Sequence, residues 1–177
     1  LEIFEEECDY YIPELKSMDK FEKLAFARHH GLPTRLLDWS YSIYIAAFFA
    51  FSSSYVRGYD GDIAIYALNI KAPIISETCG VNIIQPRSST NYRQKYQQSL
   101  YTLLKTYHNS LDEYIEEYER GCNSSANEPV LYKLHLPGCE ASKALIDLNY
   151  MNVNYSVLFG DADGYVQNTM IRYILNK

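Results

Sequence analysis

The run Ile43–Phe51 (IYIAAFFAF) constrains the fold more than any other stretch of this chain. Ile43, Ala46, Ala47 and Ala50 recur at helical spacing, and the positions between them are apolar too, so the helix is apolar nearly all round. Such a helix must be covered on several sides. It is far shorter than the roughly 20 residues a membrane span needs, so the cover is expected from the rest of the chain. With 177 residues, 47% of them apolar and 21% charged, the chain can supply it as a single domain with a real core. A net charge of −6 argues against a protein devoted to gripping nucleic-acid phosphate. The chain begins at Leu1 inside a helical pattern, without a secretory signal, and is expected to belong to a longer protein. Its four cysteines (Cys8, Cys79, Cys122, Cys139) form no Cys-x-x-Cys pair and read as free thiols of a reducing cytoplasm. The 18 tyrosines suit half-buried surfaces and pocket walls, or else reflect compositional bias.

Around the apolar helix, other periodicities can be read. Leu1–Leu15 is acidic with an apolar stripe and helical until Pro13. Asp19 can cap a helix over Lys20–His30, which Gly31 ends. Thr34–Trp39 is extended, and Ser40 can cap the apolar helix. Asp62–Ile70 and Pro129–Leu136 alternate as strands, and Val153–Phe159 is a third strand candidate. Asn91–Lys105 is ambiguous between helix and strand, with a strand entering a helix as one reading, while Leu111–Arg120 and Glu140–Met151 are helical. Helices and strands mix without βαβ alternation. The expected class is α+β: a single domain with a small mixed sheet and flanking helices.

The densest polar stretch is Arg28-His29-His30-Gly31-Leu32-Pro33-Thr34-Arg35-Leu36-Leu37-Asp38-Trp39-Ser40. Neighbouring His29 and His30 cannot share one face of a helix. A purely structural reading pairs Asp38 with Arg35, or makes Asp38 a cap, and puts Trp39 in the core. Against that reading, so many polar groups beside apolar helices need partners, because an unsatisfied buried group costs about 1–3 kcal/mol.

This stretch resembles the signature of the FRG domain family, Gln-His-x-Gly-x-Pro-Thr-Arg-Leu-Leu-Asp-Trp-Thr followed by an Ala/Phe-rich helix. His29, Gly31, Pro33 and Thr34 through Trp39 match it, as does Ala46–Ala50; Arg28 stands for Gln and Ser40 for Thr. Asn91-Tyr92-Arg93 and Gln97-Gln98-Ser99-Leu100-Tyr101-Thr102 are similar to a second family element, Asn-x-Arg then Gln-Gln-Gly-x-Phe-Thr, with Ser99 in place of Gly. Leu158-Phe159-Gly160-Asp161-Ala162-Asp163-Gly164 is similar to the terminal Leu-Phe-Pro-Asp-x-Asp-Gly. The Phe-Arg-Gly triplet does not occur. Val56-Arg57-Gly58 follows the Asp38 stretch instead of preceding it and reads as a loop. The resemblance implies one FRG domain over residues 1–177, with the triplet's strand either upstream of it or absent.

The order of elements also resembles mono-ADP-ribosyltransferases, with Asp38-Trp39-Ser40 as the second element and Gln97 in the third. That likeness implies an ADP-ribosyltransferase-like core and NAD as substrate. Cleaving the nicotinamide–ribose bond needs an oxygen beside a cationic transition state, arginines on the pyrophosphate and an aromatic wall. The implied catalytic residues are Asp38, Gln97 and His29. Arg35 and Arg93 would clamp phosphate, Trp39 or Tyr101 would stack, and Thr34 and Ser40 would complete the ligand site. Arg28, Arg35 and Arg93 are expected to converge into a local positive site. The implied partner is a small-molecule nucleotide, with a protein or nucleic-acid acceptor left open. The rival reading is a non-enzymatic ligand- or partner-binding module. Other chemistries lack signals: no Gly-x-Ser-x-Gly turn supports a hydrolase, and His29, His30, His108 and His135 show no zinc spacing. Asp161–Gly164 lacks the remaining acids of a calcium loop and reads as a turn.

Overall fold

The computed structural model describes residues 2–8, 11–59, 61–85, 92–121 and 128–175. Helix α1 (Glu2–Cys8) is followed by a 3-10 turn at Pro13–Ser17, then by α2 (Lys20–His29). Asp19 Oδ1 accepts from the Phe21 and Glu22 amides at 2.8 and 2.9 Å, and Glu22 Oε2 accepts from the Asp19 amide at 2.9 Å. This capping box contributes about 1 kcal/mol. Gly31, at φ +90°, turns the chain out of the helix.

Strand β1 (Leu36–Ser40) leads into α3 (Ile43–Val56). Ser42, not Ser40, caps α3, its hydroxyl accepting from the Ile45 amide at 3.4 Å. Ser40 stays in the strand because its own hydroxyl is engaged elsewhere. It donates to the Gln97 carbonyl at 2.8 Å and accepts from the Ser42 amide at 3.1 Å. Next come β2 (Asp62–Leu68), β3 (Val81–Ile84), α4 (Tyr92–Tyr96), β4 (Ser99–Leu104) and α5 (Leu111–Gly121). The chain closes with β5 (Leu131–Pro137), α6 (Ala141–Tyr150), α7 (Tyr155–Phe159) and α8 (Ala162–Leu175).

Three further expectations are corrected. Residues 91–105 hold a helix entering a strand, the reverse of the strand-then-helix reading; Asn91 itself lies outside the described residues. Val153–Phe159 is not a strand: Asn154 caps α7 through the Val157 amide, and Gly160 ends it at φ +68°. The strands form two antiparallel sheets, β1-β4-β3 and β2-β5, and not one mixed sheet.

The mixed helix-and-strand, α+β character stands. Strand β4 is central, and its two faces feed separate cores. Tyr101 packs with Leu36, Ile84 and Ala25 of α2, whereas Leu104 and Val81 pack with Ile74, Leu111 and Ile115. Helix α3 presents Ile45, Phe48 and Phe51 to Leu145 and Leu148 of α6 and to Leu158. No helix among the described residues is long and apolar enough to cross a membrane.

Candidate functional site

A groove of about 900 Å³ opens between the two sheets, within the range of small-molecule sites. Its apolar wall comes from α3. Ala46, Phe49 and Ala50 share one face at i, i+3 and i+4, and Phe159 at the end of α7 adds to it. Its polar wall comes from Asp38, Trp39 and Ser40 on β1, Arg28 on α2, and Arg93 and Gln97 on and after α4. Because β1 is an edge strand, side chains from both of its faces reach the groove.

Asp38 pairs with Arg28, not with Arg35: Oδ2 accepts from Nε at 3.0 Å and from Nη2 at 2.7 Å. Arg35 lies at the bend before β1 and donates to the Thr106 carbonyl instead. Both members of the Arg28–Asp38 pair are substantially exposed, so the pair is worth only about 0–1 kcal/mol. Trp39 is half-buried, packs on the Val81–Leu104 core and donates from Nε1 to Thr102 Oγ1 at 2.9 Å.

Arg93 donates through Nε and Nη2 to Asp161 and lies 5.0 Å from the centre of the Phe159 ring. Hydrogen bonds from Arg93, and next from the Gly164 amide, hold the Asp161 carboxyl below the usual aspartate range. Asp161 also begins α8, accepting from Gly164 at 2.8 Å, so Asp161–Gly164 is a helix start and not the turn expected after a strand. Gln97 donates from Nε2 to the Leu158 carbonyl at 3.2 Å, while its backbone carbonyl accepts from the Ser40 hydroxyl.

The structure therefore brings Asp38, Trp39, Ser40, Arg93 and Gln97 together, and three expected residues lie elsewhere. Arg35 is exposed and donates to the Thr106 carbonyl at 3.4 Å, outside the groove lining. Arg28 and Arg93 share the groove without it, each paired with a carboxylate, so the three arginines form no positive cluster. Thr34 Oγ1 accepts from the Leu36 amide in a local turn. Tyr101 is only 3% exposed and belongs to the α2-side core, where burial first and the Asp38 charge second raise its phenol pKa. His29 ends α2, and its side chain lies outside the described residues. Gln98 takes the left-handed turn at φ +49°, which lets Ser99 begin β4 where the family signature has Gly.

Sequence reasoning missed Asp161 as the partner of Arg93, because 68 positions separate them with no local signal. It also missed Asp112 at the start of α5, which lines the groove; a hydrogen bond from Ser110 holds its carboxyl below the usual range. Phe49 was recoverable from the Ala46–Phe49–Ala50 spacing.

Residues 2–57 match the family model of the FRG domain. The match supports the FRG family. The FRG segment carries α1 through α3, and with them Arg28, Asp38, Trp39, Ser40 and Phe49; Arg93, Gln97 and Phe159 lie beyond it. No curated protein and no solved structure matches the chain.

Proposed function

We propose that the groove of this FRG domain binds NAD and presents its nicotinamide–ribose bond for cleavage, with transfer to an acceptor or to water. One observation carries the reading. Three stretches far apart in sequence meet at one corner of the groove. Ser40 is bonded to Gln97, Gln97 to Leu158, and Arg93 to Asp161, across separations of 57, 61 and 68 positions. The corner offers what the chemistry requires: an aromatic wall in Trp39, oxygens on Asp38 and Gln97, and guanidinium groups on Arg28 and Arg93. For a pyrophosphate to be held, Arg28 must exchange Asp38 for phosphate. That exchange is inexpensive at a half-exposed pair, and it frees the Asp38 carboxylate to face a developing cation.

A second reading, binding without cleavage, is favoured by a different observation. Asp38 and Arg93 are already ion-paired, and the Gln97 amide is tied to the backbone. Incubating the protein with labelled NAD separates the two. Free nicotinamide released above the uncatalysed rate is the expected result. Saturable NAD binding without release favours the binding module, and no binding of NAD or ADP-ribose at millimolar concentration removes the nucleotide reading.

A further inference from the structure

A second cavity, of about 270 Å³, lies among α3, α6 and α8. It uses a different side of α3 from the groove: Phe49 lines the groove and Phe48 lines this cavity. Its floor of Phe48, Leu145 and Ile171 is buried. Its polar lining is Asn149, Tyr150, Asn154, Asn168 and Arg172, with no Asp or Glu among the described lining residues.

The hydrogen bonds decide which of these groups can meet a ligand. Asn154 Oδ1 accepts from the Val157 amide at 3.1 Å and from the Ser156 hydroxyl at 2.8 Å. Its amide nitrogen therefore donates to Asn149 Oδ1, at 3.1 Å. That bond orients the Asn149 amide with its oxygen toward Asn154, leaving the NH₂ to donate elsewhere. Arg28 and Arg93 have carboxylate partners, but Arg172 has none among the described residues. The cavity thus combines amide donors and a guanidinium fork with an apolar floor and no counter-charge.

We propose that this cavity binds a small carboxylic acid with an apolar body. The Arg172 guanidinium takes the carboxylate, the Asn149 and Asn168 amides assist, and the body covers Phe48, Leu145 and Ile171. A planar fork matches a carboxylate, and a cation would find no acidic ligand here. A bare inorganic anion would leave the apolar floor unused. The site is independent of whatever the groove binds.

The test titrates the protein with benzoate, benzamide and inorganic phosphate, followed by calorimetry and ligand-observed NMR. Benzoate is expected to bind at millimolar concentration or below, with benzamide and phosphate at least ~10-fold weaker. Arg172→Gln should weaken benzoate at least ~10-fold. Arg120→Gln, which removes the same charge from α5, should leave its affinity unchanged. Arg172 is exposed, so the variant should keep the wild-type melting temperature. Asn168→Leu, which removes one donor, should weaken benzoate independently. Equal benzoate affinity in Arg172→Gln and wild type would overturn the assignment. So would phosphate binding as tightly as benzoate, or no benzoate binding at millimolar concentration.

Discussion

Asp38 answers to two neighbours. Arg28 holds its Oδ2 from one side, and the buried Tyr101 stands opposite it in the β1–β4 register. Asp38→Asn removes the charge but keeps the shape. Because the ion pair is half-exposed, the melting temperature should barely move, a change of less than about 1 kcal/mol. If the carboxylate faces a cationic transition state, nicotinamide release should fall at least ~100-fold. Equal rates in the two proteins would refute the catalytic role. Asp161 offers a second test at this scale. Its folded pKa lies below the ordinary aspartate value of about 3.9, so its pairing with Arg93 adds stability above that value. The contribution is lost as pH falls through the lowered folded pKa. Acid titration of the melting temperature should therefore show a step in wild type that Asp161→Asn lacks; superimposable acid limbs would contradict the pairing.

At the scale of elements, the helices with explicit punctuation were legible and the central strand was not. Asp19, Glu22 and Gly31 announce α2, and the alternation of Ile63, Ile65 and Leu134 announces β2 and β5. Strand β4 is covered on both faces, so Leu100–Leu104 reads as an apolar run broken only by Thr102, which periodicity cannot tell from helix. Helix α7 is hidden in the sequence although its signals are present, because the alternation of Val153–Phe159 competes with the Asn154 cap and the Gly160 stop. Asn154→Ala should cost about 1–2 kcal/mol, measured by denaturant unfolding, since it removes the cap of α7 and the Asn149 bond together. A change near zero would show that α7 does not depend on its cap. The glycines should separate in the same assay. A methyl at Gly31 meets no neighbour, so Gly31→Ala should cost about 1–2 kcal/mol from backbone conformation alone. At Gly160 a methyl also collides with the Tyr92 ring, so Gly160→Ala should cost more than Gly31→Ala. The reverse order would mean that Tyr92 does not pack where the structure places it.

At the scale of the molecule, the chain assembles its groove from segments that share no local signal. The Arg28–Ser40 stretch stands out in sequence, but its bond to Gln97 depends on β1 pairing with β4, and the link of Arg93 to Asp161 depends on α7 packing beside α4. The central claim is that this groove takes a nucleotide, and the protein carries its own probe. Trp39 is the only tryptophan, and it lines the groove. The most direct measurement is its fluorescence, excited at the red edge of its absorption, during titration with NAD and ADP-ribose. Binding should change the emission saturably at micromolar to millimolar ligand, and Arg93→Lys should shift the curve to higher concentration because Lys lacks the guanidinium fork. Emission that stays unchanged at millimolar ligand, with no calorimetric heat, would contradict the nucleotide site.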